Sequence, residues 1–217
     1  AGNIANANTP GYRASRVQFS DWLSRQTNTN APRGDRMIAY TQDRATWREV
    51  RPGTLQHTAN PFDLALTGDG YFTVNTPAGT RLTRDGRFGP MPDGTLADNA
   101  GNALLDTNGR PIKVSPEDTR ITVAGDGTIS SENGQLGKVG VVRPNDPMRV
   151  KAEGDTLLDA PGGTTPVTAP NVVQGAMEDS NVQPVLEMTR MINEHRQFEF
   201  VTQFVQAVKN IAAALPG

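Results

Sequence analysis

Glycine punctuates the middle of this chain at short, nearly even intervals, almost always directly behind Asp, Asn or Ala. The pairs are Asp69-Gly70, Asp85-Gly86, Asp93-Gly94, Ala100-Gly101, Asn108-Gly109, Asp126-Gly127 and Asn133-Gly134. Such dipeptides take up the turn conformations that reverse a chain tightly. A helix does not tolerate breaks at that spacing, whereas hairpins with strands of a few residues require them. The runs between the turns agree: Tyr71-Phe72-Thr73-Val74, Thr128-Ile129-Ser130 and Lys138-Val139-Gly140-Val141-Val142 have β-type composition. The expected architecture is mainly β, with an all-β domain of many short strands over residues 37–173. The repeated turn is a weak internal repeat and not a strict solenoid period.

The chain's end follows a different rule. Met191, Phe198, Val205 and Ala212 recur every seven residues, Val201, Val208 and Leu215 form a second row, and Phe204 and Ile211 widen it. This predicts a long amphipathic helix from Ser180 to Leu215 within a C-terminal segment 174–217. Ser180 or Asn181 suits the N-cap and Pro184 the first turn. The apolar stripe needs a partner, because a lone helix gains little stability without packing one face.

The first segment, residues 1–36, opens on NIANANTPGY from Asn3 to Tyr12. Ile4, Ala5 and Ala7 suit the last turns of a helix, and the asparagines can bond the exposed backbone groups at its end. Thr9-Pro10-Gly11 then forces an extended residue and a turn. Three asparagines exceed what one cap needs, so Asn3, Asn6 and Asn8 are candidates for bonds to neighbouring subunits. Polar connectors, TNTNAPRGD at 27–35 and DAPGGTTPVTAP at 159–170, flank the β-domain and place both chain ends on the same side of it.

Composition narrows the chemistry. With no cysteine, disulfides, thiolate metal sites and cysteine nucleophiles are excluded, and a net charge of −2 with both signs interspersed gives no nucleic-acid stripe. No apolar run approaches the ~18 residues that span a bilayer, so direct membrane insertion is not expected, and no cleavable signal pattern is visible. The strongest catalytic candidate is His57 with Asp63 and Asp69 as base and orienter, but no nucleophile motif accompanies it. Gly68-Asp69-Gly70 starts like a phosphate-binding loop, yet Thr73 replaces the third glycine and strand residues follow, so Gly68 and Gly70 read as a tight hairpin. Asp93, Asp98 and Asp106 lack the ligand order of an EF-hand, and aspartate in turns is expected for backbone reasons alone. Arg13, Arg16 and Arg25 read as a solvated face, Trp47 as a strand residue burying one face of the sheet, and His195 as a boundary residue of the terminal helix. No cofactor, metal or catalytic residue is assigned.

Three stretches, in order, carry a resemblance. NIANANTPGYRASRVQF resembles the N-terminal signature of the bacterial flagellar axial proteins, the rod and hook family. NPFDLALTGDGYFTV with RLTRDGRF is similar to the start of that family's β-domain, and EDSNVQPVLEMTRMI to its return into the C-terminal helix. Ser180 to Val185, with Met188 and Met191 after it, is similar to the proximal-rod member. The resemblance implies a structural, non-enzymatic subunit of the flagellar rod in the periplasmic space, with no nucleic-acid partner. Its partners would be other rod proteins and copies of itself, and it would be exported by the flagellar type III apparatus. Terminal helices would form a coiled-coil stalk. Ile4, Tyr12, Val182, Val185, Met188 and Met191 join Phe198, Val201, Val205 and Val208 as candidate subunit contacts. Family members carry a longer helix before the Asn-rich segment, so the N-terminal helix is expected to be largely missing here. A distal rod or hook subunit is the alternative within the family, and a secreted β-rich binding or carbohydrate-active domain is the alternative outside it.

Overall fold

A computed structural model describes residues 2–25, 37–49, 51–154 and 156–214. The side chains of Arg25, Trp47 and Val208 lie outside the described residues. Short strands dominate, with a single helical turn α1 (Gly2–Ala5) at one end and the long helix α2 (Pro184–Ala214) at the other. In chain order the strands are β1 (Ser15–Arg25), β2 (Met37–Arg48), β3 (Leu55–His57), β4 (Leu64–Leu66), β5 (Tyr71–Thr76) and β6 (Gly79–Thr83). They continue as β7 (Phe88–Pro90), β8 (Leu96–Asp98), β9 (Ala103–Leu104), β10 (Thr122–Val123), β11 (Thr128–Ser131) and β12 (Gly134–Lys138). The last are β13 (Val141–Pro144), β14 (Lys151–Glu153), β15 (Leu157–Asp159), β16 (Thr164–Pro166), β17 (Val172–Gln174) and β18 (Ala176–Glu178).

The largest sheet has nine strands along β14-β15-β6-β5-β9-β8-β7, with β13 also on β5 and β16 on β13. Every ladder among the described residues is antiparallel. Its central strand β5 reads intermediate-buried-buried-buried, and Phe72 and Val74 have no exposed surface. Phe72 meets Phe88 edge to face, with centroids 5.5 Å apart and planes at 88°. Around them Leu64, Leu104, Ile129, Val139 and Val172 close one continuous apolar core.

The Asp-Gly turns work by a local device. Asp93 accepts from the backbone N–H of Thr95 at 3.0 Å and from its hydroxyl at 2.7 Å, and Asp126 does the same to Thr128 at 3.0 Å each. Asp98 accepts from the N–H groups of Ala100 and Asn102, and Asp106 from those of Asn108 and Arg110. The carboxylates weighed for calcium therefore cap their own turns. Among the described residues no group of three or more His, Asp or Glu is placed to hold a metal. At the hairpin before β5, Gly68 and Gly70 take φ of +99° and +138°, a region that only glycine enters freely.

The structure adds a feature to the first segment. Ser15–Arg25 is a strand, paired with Met37–Arg48 along its whole length from Ser15 opposite Arg48 to Arg25 opposite Met37. The Ser180/Asn181 cap is corrected: α2 begins at Pro184, with Gln183 C=O accepting from Glu187 N–H at 3.0 Å. Asn181 is used elsewhere, as described below, and Ser180 Oγ accepts from Val182 N–H.

Candidate assembly surface

The N-terminal segment meets the end of β18 and the start of α2 beside the β-domain. After α1, Thr9 C=O accepts from Tyr12 N–H at 3.1 Å across Pro10 and Gly11. Gly11 takes φ +69°, the pattern of a turn with proline second and glycine third. Gly11 is also hemmed in. Its N–H donates to Glu178 C=O at 2.7 Å, and a Cβ there would lie 2.2 Å from Asp85 N. The turn thus delivers Tyr12, Arg13 and Ala14 into a buried neck, where Tyr12 and Ala14 pack with Val182 and Ala7. Asn181 ties the neck together: its Oδ1 accepts from Ala14 N–H and its Nδ2 donates to Arg51 C=O, both at 2.7 Å.

Beneath the neck three buried charges converge from three parts of the chain. Arg13 donates from Nε and Nη2 to Glu178 Oε1 at 3.3 and 3.2 Å, and Arg84 Nη1 donates to Glu178 Oε2 at 2.9 Å. Gly53 N–H adds a bond to Oε1 at 3.2 Å. Both guanidiniums lie by the Tyr71 ring, 5.7 and 5.5 Å from its centroid. Arg84 further donates to Leu66 C=O at 3.0 Å and to Gly68 C=O. Burial, and then the charge of Arg13, push Arg84 below the usual guanidinium value, while Glu178 pulls it back up. Arg13 is 3% exposed, so its reading as part of a solvated face is corrected: it is the buried link between the N-terminal segment and Glu178.

A second, outer clamp fixes the start of α2. Asn3 Nδ2 donates to Glu187 Oε2 and to Ser15 C=O, each at 3.0 Å, while its Oδ1 accepts from Ser15 N–H and Tyr12 OH. Arg16 bridges Glu187 at 2.7 Å and Glu49 at 3.3 Å. Against the cost of burial, these bonds hold the Glu187 carboxyl below its ordinary value and Arg16 above its own.

The structure therefore divides the residues expected to contact other subunits. Asn3, Tyr12 and Val182 make bonds or packing within the chain, and half-buried Asn6 bonds Gly2 C=O and Thr9 Oγ1. Ile4 is half-buried and Asn8 exposed. Val185, Met188, Met191, Phe198, Val201 and Val205 stand on α2 with much of their surface open, as do Leu186, Ile192, Phe200 and Phe204. This concentration of exposed large apolar side chains makes α2 the candidate interaction surface. Among the described residues no helix is long and apolar enough to cross a membrane.

The catalytic candidates are not brought together in this way. His57 is exposed on β3, whereas the Asp63 carboxylate is held by Thr58 Oγ1 at 2.6 Å and Asn60 Nδ2 at 3.0 Å. Asp69 lines a cavity of about 520 Å³ together with Tyr71, Arg13 and Arg143. His195 is exposed on α2 and pairs with Glu199 one turn later, Nδ1 to Oε1 at 3.4 Å.

Known proteins align with both the core and the exposed helix. Residues 65–131 match the family described as flagellar hook protein FlgE/F/G D1 domain, and residues 173–215 match that described as flagellar basal body rod FlgEFG protein C-terminal. The flagellar basal-body rod protein FlgF of Mesorhizobium japonicum is 36% identical over 203 residues, covering 92% of this chain and 81% of its own. FlgF of Caulobacter vibrioides is 35% identical, with coverage of 94% and 84%. FlgG of Bacillus subtilis is 29% identical, with coverage of 98% and 89%.

Proposed function

Since the chain belongs to the flagellar basal-body rod family and is of the FlgF type, we propose that this structural rod subunit assembles through the exposed apolar surface of α2. The higher identity to FlgF relatives than to FlgG favours the proximal over the distal rod. The observation that carries the surface is the row of Phe198, Val201 and Val205, large apolar side chains left largely open by the described residues around them. Covering what remains open on each is worth on the order of 1–2 kcal/mol, so that a set of such contacts is needed to hold a shaft together.

In this reading the protein works as a non-enzymatic part of the basal body, alongside other rod proteins and copies of itself. The shaft would lie in the periplasmic space and its subunits would pass through the flagellar type III export apparatus. The neck would carry load between the N-terminal segment, the strand that leads into α2 and the β-domain, because Arg13, Glu178 and Arg84 join them through buried bonds, and the Glu187 clamp would pass it to α2. The test is complementation of a strain deleted for the gene. The unaltered gene restores swimming, and Phe198→Asp with Val201→Asp does not, while the variant chain is still made and folded by circular dichroism. Normal swimming of that double variant rules out α2 as the assembly surface.

A further inference from the structure

Beside the neck, the large sheet is cut short along β13. Its neighbour β5 begins at Tyr71, opposite Val142. β13 itself runs on through Arg143 and Pro144, which pair on the other side with Thr165 and Thr164 of β16. Where β5 ends there is a cavity of about 520 Å³, lined by Arg13, Asp69, Tyr71, Arg143, Pro144 and Pro147 among others. That volume falls within the range of small-molecule sites, about 300–1,000 Å³, and exceeds what one inorganic ion fills.

The groups around this cavity have bonding capacity that the chain does not use. Arg13 commits Nε and Nη2 to Glu178, and its Nη1 bonds none of the described residues. Arg143, the Asp69 carboxylate and the Tyr71 hydroxyl likewise make no hydrogen bond or ion pair with the described residues. Arg84, against the Tyr71 ring, has its Nε buried without an acceptor. In the triad and the cavity wall together, the guanidiniums of Arg13, Arg84 and Arg143 outnumber the carboxylates of Glu178 and Asp69 by one positive charge. Positive charge withdrawn from water is stabilised by a counter-charge, and an excess of one matches a monoanion, not a phosphate dianion. The planar guanidinium fork fits the two oxygens of a carboxylate. Asp69 calls for the opposite partner, an N–H or O–H donor, while Tyr71, Pro144 and Pro147 supply apolar wall.

We propose that this cavity binds the C-terminal end of a peptide. The carboxylate bonds Arg143 and Arg13 Nη1, the last amide N–H faces Asp69, and the last side chain lies against Tyr71, Pro144 and Pro147. The wall is built in advance. Asn145 donates its N–H to Gly163 C=O at 3.0 Å and Nδ2 to Gly162 C=O at 3.3 Å, and its Oδ1 accepts from the Thr165 hydroxyl at 2.6 Å. Binding therefore does not have to order this loop. Arg13 belongs to the N-terminal segment and Arg143 to the β-domain, so the bound carboxylate joins the two and occupancy stabilises the neck.

The test offers the immobilised, purified chain two pools of N-acetylated tripeptides at constant ionic strength, one with free carboxylates and one amidated, and counts the retained peptides by mass spectrometry. Hydrogen bonds to charged groups are strong enough that the acid pool should be retained at least about ten-fold over the amidated pool, with apolar last residues enriched. The best-retained acid peptide should also raise the urea midpoint of the chain. Arg143→Gln should abolish the preference while the chain stays folded by circular dichroism, and Asp69→Asn should let inorganic phosphate displace the peptide at a several-fold lower concentration. Equal retention of the two pools overturns the proposal, as does an unchanged preference in Arg143→Gln. Displacement from the unaltered chain by phosphate at concentrations equal to that of the peptide overturns it too, since the cavity would then be a general anion site.

Discussion

Replacing Glu178 with glutamine tests the neck with a change of one charge and almost no volume. Glu178 is 2% exposed, and its carboxylate is the shared acceptor for Arg13, Arg84 and Gly53 N–H. The substitution takes from two buried guanidiniums the carboxylate they share, and Arg84 is already pushed down by burial and by Arg13. Removing one partner of a buried ion pair costs about 3–5 kcal/mol, well above the roughly 1 kcal/mol of an ordinary hydrogen bond. For a chain of this size that corresponds to a melting temperature lower by about 6–20 °C. Urea unfolding of the purified chain, followed by circular dichroism, measures it. Glu187→Gln in the outer, partly exposed clamp serves as the comparison and should cost at most about 1 kcal/mol. A Glu178→Gln loss no larger than that of Glu187→Gln would refute the assignment of the buried triad as the link between the chain ends and the β-domain.

Gly11→Ala should cost more than Gly101→Ala, although both glycines have positive φ. Each substitution carries about 1–3 kcal/mol of backbone strain, but only at Gly11 would the new Cβ meet backbone, 2.2 Å from Asp85 N, with nothing within 4 Å at Gly101; equal unfolding midpoints would contradict the tight turn. Acid should loosen the turns of the β-domain. The Thr95 hydroxyl, with Thr95 N–H and Lys113, holds Asp93 at about 2; Lys138 and Thr128 hold Asp126, and Thr119 holds Glu132, at about 2 as well. Their folded values lie below those of the unfolded chain, so this stabilisation is whole above about pH 4.5 and is lost as pH falls through 2. The urea midpoint should drop between pH 5 and pH 2, and Asp93→Asn with Asp126→Asn and Glu132→Gln should flatten that drop.

What the sequence made legible was local. Asp93 and Asp126 reach backbone groups only two residues on, so the dipeptide alone signals the turn, and a run of seven-residue recurrences announces α2 without help from the rest of the chain. What it left hidden depends on partners far away in sequence. Ser15–Arg25 has no turn signal of its own and becomes a strand by pairing with Met37–Arg48. Arg13 finds Glu178 across 165 positions, a separation at which no spacing rule operates, so a buried link reads as a surface charge. Asn181 looks like a cap because it stands just ahead of a helix, yet its amide is taken by Ala14 and Arg51. Tyr12 and Val182 carry the family wording but lie in the neck, whereas Val185, three residues later, is open.

The most direct measurement of the central claim uses the chain's own methionines as probes. Oxidation by hydrogen peroxide, read by mass spectrometry, is compared between the free chain and purified basal bodies. Met188 and Met191 on α2 are 48% and 47% exposed and Met148 on the β-domain is 60% exposed, so all three should oxidise readily in the free chain. If α2 is the assembly surface, Met188 and Met191 become protected at least several-fold in the basal body, and more strongly than Met148. Equal oxidation of Met188 and Met191 in the free and assembled states would contradict it.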